Sequence, residues 1–437
     1  MTKSSKPRRM SPRSRLATAA AKAATWASRR TGRGSGGMIG GLIAQKLDPR
    51  ILGQLGGGRP AAIITGTNGK STTTRMLAAA MRAAGDRVAT NEGGDNMDAG
   101  VISALMASPD ADTLVLEVDE LHVAHISADL KPRVLVLLNL SRDQLDRVGE
   151  INKIERSLRD AVNANPQATV IANCDDPLIA SAAWDAENVV WVSAGGGWTN
   201  DATSCPRTGG PIIRDGDDWY AVKELPGGGA FRRPTAAWAI SPEGISTPYG
   251  TTIPLDLTLP GDANRGNATL ATAAAVELGA EAVVAATATE GVDNVAGRYS
   301  TMKVGEHEVR MLLAKNPAGW QEALSMVDRS ADGLVIAVNG QVADGTDLSW
   351  LWDVTFEDFD DLTVVAAGER SADLAVRLGY AAVDHHTVPD TIAALRACPP
   401  GRVEVLANYT AFRDLRKNLA RELQKASSNA APKENDK

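Results

Sequence analysis

The sequence predicts an α/β protein in which helices cover both faces of a mostly parallel sheet and a second, C-terminal α/β domain follows. Three observations lead to this prediction. The chain has 437 residues, which is too long for one hydrophobic core. Short apolar runs of strand length alternate with helical stretches from residue 61 onward. Residues 194–262 interrupt this alternation with Gly, Pro, Trp, Thr and Arg, which predicts a small ribbon-like insertion.

The individual elements follow from local pattern. Ala61–Ile64 predicts a short buried strand, and Thr72–Ala84 predicts the helix after a glycine-containing loop. Four further strands of this domain are predicted at Thr113–Leu116, Val134–Leu138, Thr169–Ala172 and Val189–Val192. An Ala-rich helix is predicted at Asn267–Leu278. The C-terminal strands are predicted at Glu308–Ala314, Gly333–Val338, Leu362–Ala366 and Val403–Ala407.

These elements predict four segments. Residues 1–37 form a basic arm that we expect to be largely disordered, although residues 16–30 have helical composition. Residues 38–298 form the central domain with its insertion at about 194–262. Residues 299–425 form the C-terminal domain, and a frayed tail occupies 426–437.

Charge is distributed unevenly along the chain. The formal net charge of −7 argues against a general nucleic-acid-binding protein. Residues 1–35 carry ten Lys and Arg and no acid, so the remaining 36 basic and 53 acidic side chains leave a formal charge of −17. The arm is either a solvated tail or a segment that touches anionic lipid.

Cysteine and hydropathy indicate a cytoplasmic protein. Cys174, Cys205 and Cys398 cannot build a disulfide framework, which fits a reducing compartment. No run of about 18 apolar residues is present to span a membrane.

The segment Thr65–Thr72 (TGTNGKST) lies between a predicted strand and a predicted helix, where a phosphate-binding loop is expected. Its glycines allow the backbone to approach an anion, its lysine can reach the β- and γ-phosphates, and its serine can hold Mg²⁺. The predicted nucleotide-binding residues are Gly66, Thr67, Asn68, Gly69, Lys70, Ser71 and Thr72. A glycine-rich turn that only caps a helix is the alternative.

The motif TGTNGKST resembles the ATP loop of Mur ligases and folylpolyglutamate synthetases. Further motifs narrow the resemblance to the MurT family, the Mur-ligase-like subunits of lipid II isoglutaminyl synthase. These motifs are TNEGGDNMDAG (90–100), EVDE (117–120), NLSRDQLDRVGE (139–150), NCDDP (173–177), GDANRGN (261–267), GRYS (297–300), LAKNPAGW (313–320) and ADGTDLSWLWDVTFE (343–357). The resemblance implies a Mur-ligase-like central domain and a Rossmann-like C-terminal domain. It also implies ATP- and Mg²⁺-dependent amidation of the D-glutamate α-carboxylate of lipid II, with ammonia from a separate GatD-like glutaminase subunit.

The resemblance also assigns roles to single residues. Glu117, at the end of a predicted strand, is assigned to Mg²⁺ together with Ser71, and a solvated acidic turn is the alternative. Asn267 is assigned to the adenine, with helix capping as the alternative. Arg298 is assigned to the γ-phosphate, with a salt bridge between domains as the alternative.

Two positions depart from the wider superfamily. Gln144 stands where amino-acid-adding Mur ligases have a metal-binding His. Asp143, Gln144 and Asp146 therefore either bind a second metal ion or form a polar loop that caps the next helix. Leu312 stands where an Asp contacts ribose, so Lys315 and Asn316 face either a ligand or a surface turn.

The insertion resembles a zinc ribbon that has lost its ligands. Cys205 has no second cysteine at Thr208, and the expected second pair near Leu225–Ala230 is absent. Because a structural zinc site needs four ligands, we expect no zinc here. Trp198, Trp219, Tyr220, Phe231 and Trp238 are predicted to supply an apolar core instead.

Asp353 follows the tryptophan pair of SWLWD, and exposed paired indoles usually mark a contact surface. The resemblance implies that this carboxylate reaches the partner's catalytic His and fixes its tautomer, and a solvated charge run on a surface helix is the alternative. No Cys of the chain lies in an obvious nucleophile motif, so ammonia is expected from the partner or from solution.

Two other functions remain open at this stage. One is an amino-acid-adding Mur ligase or a folylpolyglutamate synthetase-like ligase. The other is a non-catalytic scaffold for an amidotransferase. The lipid-linked substrate implied by the resemblance places the protein either in the cytoplasm or at the inner face of the membrane.

Overall fold

The computed structural model describes residues 10–30, 37–91, 95–142, 150–195, 199–292, 299–357, 359 and 362–430. The chain forms two compact units. The first contains residues 1–141 and 149–293, and the second contains residues 142–148 and 294–437. None of the described helices is long and apolar enough to cross a membrane.

The first unit contains eleven described strands and ten described helices. The strands are β1 (Ala61–Thr65), β2 (Val88–Ala89), β3 (Thr113–Glu117), β4 (Val134–Leu137), β5 (Thr169–Asn173), β6 (Val189–Ser193), β7 (Ile212–Asp215), β8 (Asp218–Ala221), β9 (Trp238–Ser241), β10 (Gly244–Ser246) and β11 (Thr252–Ile253). The helices are α1 (Pro12–Arg30), α2 (Gly37–Leu47), α3 (Ile51–Gly56), α4 (Lys70–Ala83), α5 (Asp98–Ala107), α6 (Val123–Leu130), α7 (Glu150–Asn163), α8 (Pro177–Ala183), α9 (Asp262–Leu278) and α10 (Ala282–Glu290).

Nine of these strands form one sheet in the order β11-β10-β9-β6-β5-β4-β1-β3-β2. All pairs from β2 to β9 are parallel, which confirms the predicted mostly parallel sheet. Ala61 and Ile63 of β1 pack into a core with α3, α5 and α6, while α4 and α9 lie against the sheet through other contacts. Both faces are therefore covered, as the unbroken apolar runs predicted.

The basic arm expected to be largely disordered contains a packed helix. Ala17 and Ala21 of α1 are fully buried against α2, and the Ser14 hydroxyl donates a 2.5 Å hydrogen bond to the buried carboxylate of Asp48. The correction applies to residues 12–30, since residues 1–9 and 31–36 lie outside the described residues. The buried positions of α1 are alanines, so its sequence shows no obvious apolar stripe. Their small side chains nevertheless allow α1 and α2 to approach closely.

The insertion is smaller than the predicted 194–262. Strands β7 and β8 form a separate hairpin, whereas β9, β10 and β11 extend the main sheet beyond β6. These edge strands are two to four residues long and lack apolar runs, which is why the sequence did not show them.

An aromatic cluster fills the interior of the insertion. Trp219 and Phe231 are fully buried, with ring centroids 5.1 Å apart, and Trp184 lies 4.8 Å from Phe231. Cys205 is buried in the same cluster. The predicted core is confirmed for Trp219 and Phe231, whereas Tyr220 is largely exposed, Trp238 is buried elsewhere and Trp198 lies outside the described residues.

Two polar contacts fasten the insertion to the sheet. The Trp219 indole donates a 2.9 Å hydrogen bond to the carbonyl of Cys174, just after β5. Arg233 donates to the carboxylate of Asp175 at 2.6 Å and to the Ser193 hydroxyl at 2.9 Å. Aromatic packing and a charged clamp thus stabilise the insertion and fasten it to the sheet.

The second unit contains a six-stranded sheet in the order β12-β13-β17-β14-β15-β16. Its strands are β12 (Tyr299–Val304), β13 (His307–Leu313), β14 (Gly333–Ala337), β15 (Val364–Ala367), β16 (His385–Thr387) and β17 (Gly401–Ala407). Its helices are α11 (Pro317–Ser325), α12 (Ser371–Tyr380), α13 (Thr391–Ala397) and α14 (Tyr409–Ala430). All pairs except β12–β13 are parallel. Helix α14 continues five residues past the point where a frayed tail was expected.

We predict that Phe231→Ala destabilises the insertion by about 3–5 kcal/mol, because it leaves a cavity between two indoles. Hydrogen exchange at residues 205–233 measures the effect. Tyr220→Ala is the matched control, since Tyr220 is 42% exposed and should change stability by less than about 0.5 kcal/mol. One zinc per chain in protein purified without chelator would contradict the aromatic-core interpretation.

Candidate functional site

The predicted phosphate loop is built on two left-handed glycines. β1 ends at Thr65 and α4 begins at Lys70, with Gly66 at φ +138° and Gly69 at φ +85°. A Cβ at Gly66 would lie 2.9 Å from the backbone nitrogen and oxygen of Asn139. Glycine is therefore required at both positions, by conformation and, at Gly66, also by close backbone approach.

Residues after β4 hold this loop. The Asn68 backbone N–H donates to Asn139 Oδ1 at 2.9 Å, and Asn139 Nδ2 donates to the Asn68 carbonyl at 3.0 Å. The Ser141 N–H donates to Thr67 Oγ1 at 3.0 Å. Sequence reasoning missed Asn139 and Ser141 as loop supports, although their position at the carboxyl end of a strand adjacent to β1 was a usable signal.

Lys70 is buried at the loop and already has a carboxylate partner. Its Nζ donates to the Thr67 carbonyl at 3.3 Å and to Glu120 Oε1 at 3.2 Å. Burial raises the pKa of Glu120, while the Lys70 charge opposes that rise. A phosphate entering the loop would compete with Glu120 for this ammonium group.

Ser71 and Thr72 follow Lys70 in the first turn of α4, where Ser71 is half-buried and Thr72 is buried. The first amides of a helix lack intrahelical acceptors, so this turn presents N–H groups to an anion. The loop and the helix start therefore have the composition and geometry of a phosphate site.

Glu117 lies at the same edge of the sheet. It is the last residue of β3 and pairs in register with Ile64 of β1. Asn91 accepts from the Glu117 N–H at 2.9 Å and donates to its carbonyl at 2.7 Å. Among the described residues, the Glu117 carboxylate itself accepts one long hydrogen bond, of 3.5 Å, from Asn96. A buried carboxylate with so few partners can take a divalent cation.

The structure also shows a carboxylate, Asp98, that contacts two histidines and that the sequence analysis did not predict. The Nδ1 atoms of His122 and His125 both contact the carboxylate of Asp98, at 2.6 Å in the case of His122. Burial raises the pKa of Asp98, but the two imidazole hydrogen bonds outweigh it and hold that pKa below its usual value. These contacts fasten the start of α5 to the start of α6, which follows Glu117 and the turn after β3.

Asn267 reaches the phosphate loop from α9. The helix begins at Asp262, five residues before the predicted start, so Asn267 lies in its second turn and does not cap it. A Cβ at Gly69 would lie 2.7 Å from Asn267 Oδ1. Asn264 instead donates to the Pro260 carbonyl at 2.7 Å.

Four predicted site positions lie outside the described residues. These are Arg298 and, after β4, Asp143, Gln144 and Asp146. Their assigned roles stay predictions.

Asp353 lies in the second unit, after a 3₁₀ turn at Ser349–Trp352, and is half-buried. Arg377 holds the backbone on both sides of it, since its guanidinium donates to the Leu351 carbonyl at 3.0 Å and to the Val354 carbonyl at 2.7 Å. Asp353 Oδ2 lies 3.6 Å from Arg142 Nη2, which belongs to the same unit.

The prediction of paired exposed indoles is half wrong. Trp350 is buried and stacks on Trp320 with ring centroids 5.3 Å apart. Trp352 is exposed, and its ring meets that of exposed Tyr380 edge to face at 5.2 Å. Residues two positions apart along a 3₁₀ turn point in different directions, so Trp350 and Trp352 do not share a face.

The structure shows local contacts for both Lys315 and Asn316, whose role at a ligand stays a prediction. Asn316 caps α11, because its side chain accepts a 2.8 Å hydrogen bond from the Gly319 N–H. Lys315 is exposed and lies over the ring of Tyr409 at 5.5 Å.

All three cysteines are buried. Burial, followed by the charge of Asp175, raises the pKa of Cys174 to about 12. Burial also raises the pKa of Cys398 to about 11. A thiol needs thiolate character to act as a nucleophile, so neither residue is suited to glutamine hydrolysis.

Comparison with known proteins identifies the class. The Mur ligase middle domain model matches residues 64–204, and the MurT ligase C-terminal model matches residues 313–412. A pseudomurein peptide ligase type C from Methanothermus fervidus superimposes with a TM-score of 0.64 at 17% identity, covering 84% of this chain and 79% of that one.

Two relatives share most of the chain. The MurT subunit of lipid II isoglutaminyl synthase (glutamine-hydrolyzing) from Streptococcus pneumoniae is 29% identical over 90% of this chain and 93% of its own. The Staphylococcus aureus subunit of the same name is 29% identical over 83% of this chain and 87% of its own.

The fold and the loop after β1 thus define a ligase of the Mur type. Within that class, the chain carries a MurT ligase C-terminal domain and is similar to MurT subunits over most of its length.

We predict that Gly69→Ala weakens ADP binding by about tenfold or more, because the new methyl group meets Asn267 and strains the loop. Calorimetric titration measures the affinity. Gly85→Ala is the matched control, since Gly85 has φ +96° but no atom within 4 Å of the added Cβ. Both variants lose about 1 kcal/mol of stability, and equal loss of affinity in both would contradict a specific role for Gly69.

We predict that Cys174 and Cys398 do not react with a disulfide reagent at pH 8 in the native protein, because their thiols stay protonated until the pH approaches 11–12. Absorbance of the released thiolate, before and after urea, measures the reaction. Rapid native labelling of either residue would contradict the burial described above.

Proposed function

We propose that this protein is the ATP-dependent amidating subunit of a lipid II isoglutaminyl synthase. The γ-phosphoryl group of ATP passes to the D-glutamate α-carboxylate, which yields an acyl phosphate and ADP. Ammonia attacks the acyl carbon, phosphate leaves and a proton is lost, which gives the D-isoglutamine amide. The observation that carries this proposal is the buried ammonium of Lys70 inside a loop bounded by two left-handed glycines.

The loop residues would bind the phosphates of ATP. Backbone amides from Gly66 to Thr72 face the β-phosphate, and Lys70 moves from Glu120 to the β/γ-oxygens and stabilises the charge that develops there. Asn267, beside Gly69, contacts the adenine edge. Arg298 stays the residue assigned to the γ-phosphate by resemblance.

Ser71 and Glu117 are the residues that would hold Mg²⁺. Their hydroxyl and carboxylate oxygens suit this hard cation, and within the described part of the chain the Glu117 carboxylate has one long hydrogen bond to give up. When bound, the ion would neutralise phosphate charge during transfer.

Ammonia is proposed to come from a GatD-like glutaminase subunit. The carboxylate of Asp353 would hydrogen-bond the Nδ1–H of that partner's catalytic histidine and stabilise its cation. Arg377 supports this role, because it ties down the backbone before and after Asp353. The substrate would be lipid II, so we place the protein in the cytoplasm at the inner face of the membrane.

An amino-acid-adding or folate-type ligase is the second candidate, because Mur-type phosphate chemistry is common to all three. A non-catalytic scaffold is disfavoured by the complete phosphate loop. The acceptor that stimulates ATP turnover distinguishes them: ammonium with lipid II supports amidation, whereas stimulation by an amino acid would overturn it.

We predict that two variants of the purified complex respond differently to added ammonium. Asp353→Asn keeps the side-chain shape but loses the charge, so glutamine-driven amidation should fall by about 10²-fold or more. Added ammonium should restore it, with ADP binding unchanged. Lys70→Ala should remove amidation with either nitrogen source.

Mass spectrometry of the product and phosphate release measure both variants. Asp344→Asn is a control for Asp353, because Asp344 is a carboxylate of the same unit that bonds Thr410. Normal glutamine use by Asp353→Asn, or failure of ammonium to rescue it, would remove Asp353 from glutamine activation. Turnover retained by Lys70→Ala would remove the loop from the mechanism.

A further inference from the structure

One helix face is rich in apolar and cationic side chains and is exposed within the described part of the first unit. It is the outer face of α1, formed by Arg15, Leu16, Lys22, Trp26 and Arg30. Leu16 is 70% exposed and Trp26 is 64% exposed. At 100° per residue these five positions fall within an arc of about 120°, so they share one side of the helix.

The opposite side of α1 fixes the helix in place. Ala17 and Ala21 are buried, Ser14 bonds Asp48, and the Arg13 guanidinium donates to the Leu47 carbonyl at 2.7 Å. α2 in turn packs on α5, which carries Asp98. The outer face of α1 is therefore preformed on a helix anchored to the first unit.

Its composition is that of an interfacial helix. Trp and Leu side chains partition to the boundary between headgroups and acyl chains, and Lys and Arg meet anionic headgroups. The guanidinium of Arg30 lies 5.5 Å from the centroid of the Trp26 ring, so a cation and an indole are already adjacent. Leu16 and Trp26 are separated by about 15 Å along the axis, which suits a helix lying parallel to a surface.

The charge distribution along the chain favours an anionic surface as the ligand and favours contact through the N-terminal segment. Residues 1–35 contain ten Lys and Arg and no acid, while the rest of the chain has a formal charge of −17. Long-range repulsion keeps the rest of the protein from an anionic bilayer, and only the segment that carries α1 is attracted. An acidic protein surface would match the charges but has no need of an exposed indole and an exposed leucine 15 Å apart.

We propose that the outer face of α1 docks the protein on anionic membrane lipid, where its lipid-linked substrate resides. The proposal rests on the proposed function, since a lipid-linked substrate gives such docking its use. The ligand is the bilayer surface itself, with anionic headgroups bound by the cations and the acyl boundary contacted by Leu16 and Trp26. Docking raises the local concentration of substrate without entering the phosphate-transfer chemistry.

The test is sedimentation of the full chain with vesicles that contain phosphatidylglycerol and no lipid II. Arg15→Glu/Lys22→Glu should weaken binding by at least about tenfold, because each cation near the surface contributes appreciably and reversal adds repulsion. Leu16→Gln/Trp26→Gln should weaken it by about tenfold while keeping good helix formers in α1. Binding to phosphatidylcholine vesicles should be weak for all forms, and binding to anionic vesicles should fall with added salt.

Lys153→Glu/Tyr249→Gln is the matched control, because both residues are exposed in the same unit and lie outside α1. This control should bind vesicles like the unchanged protein. Binding of the charge-reversed variant at unchanged strength would overturn the proposal, and so would equal losses in the control. Loss of co-purification with the partner subunit in the α1 variants would instead assign the face to a protein.

Activity separates this proposal from the proposed function. With detergent-solubilised lipid II, the α1 variants should amidate at the normal rate, whereas with lipid II in anionic vesicles they should be slower by about tenfold. Normal vesicle binding by a protein that shows no amidation would contradict the function alone. Normal amidation on vesicles by the charge-reversed variant would contradict the docking alone.

Discussion

The position of β1 between two parallel neighbours is the constraint on which the site depends. β3 and β4 flank β1 in register, with Glu117 opposite Ile64 and Leu137 opposite Thr65. Parallel strands end at the same edge of a sheet, so the loop after β1 and the turns after its neighbours converge there. Burial of the sheet on both faces fixes that register, because a slip would expose apolar side chains.

Polar side chains hydrogen-bond the backbone of the loop and of Glu117 at this buried edge of the sheet. Strands that end inside a protein leave backbone groups that need partners. Asn91 satisfies both backbone groups of Glu117, and Asn139 satisfies both backbone groups of Asn68. The loop and the carboxylate are thereby preorganised before a nucleotide binds, which reduces the reorganisation required during phosphoryl transfer.

Arginine side chains organise two further parts of the structure. Trp219 and Phe231 fill the insertion, and Arg233 fastens it through Asp175. In the second unit, Arg377 holds the segment around Asp353 by its carbonyls. In both places a guanidinium organises backbone or carboxylate oxygens at several points, which suits its rigid arrangement of donors.

The sequence by itself determined the parallel sheet, the phosphate loop and the resemblance to MurT subunits, because apolar runs, the glycines of the loop and spaced motifs are local signals. It also predicted Glu117 at the end of a strand. Only the tertiary structure decided that Asn139 supports the loop and that the outer face of α1 is preformed, since these depend on contacts between residues distant in sequence or on the packing of alanines. The tertiary structure also decided that Trp350 is buried and that Trp352 is exposed. These indoles point apart on a tight turn, and only the surrounding packing shows which one is covered.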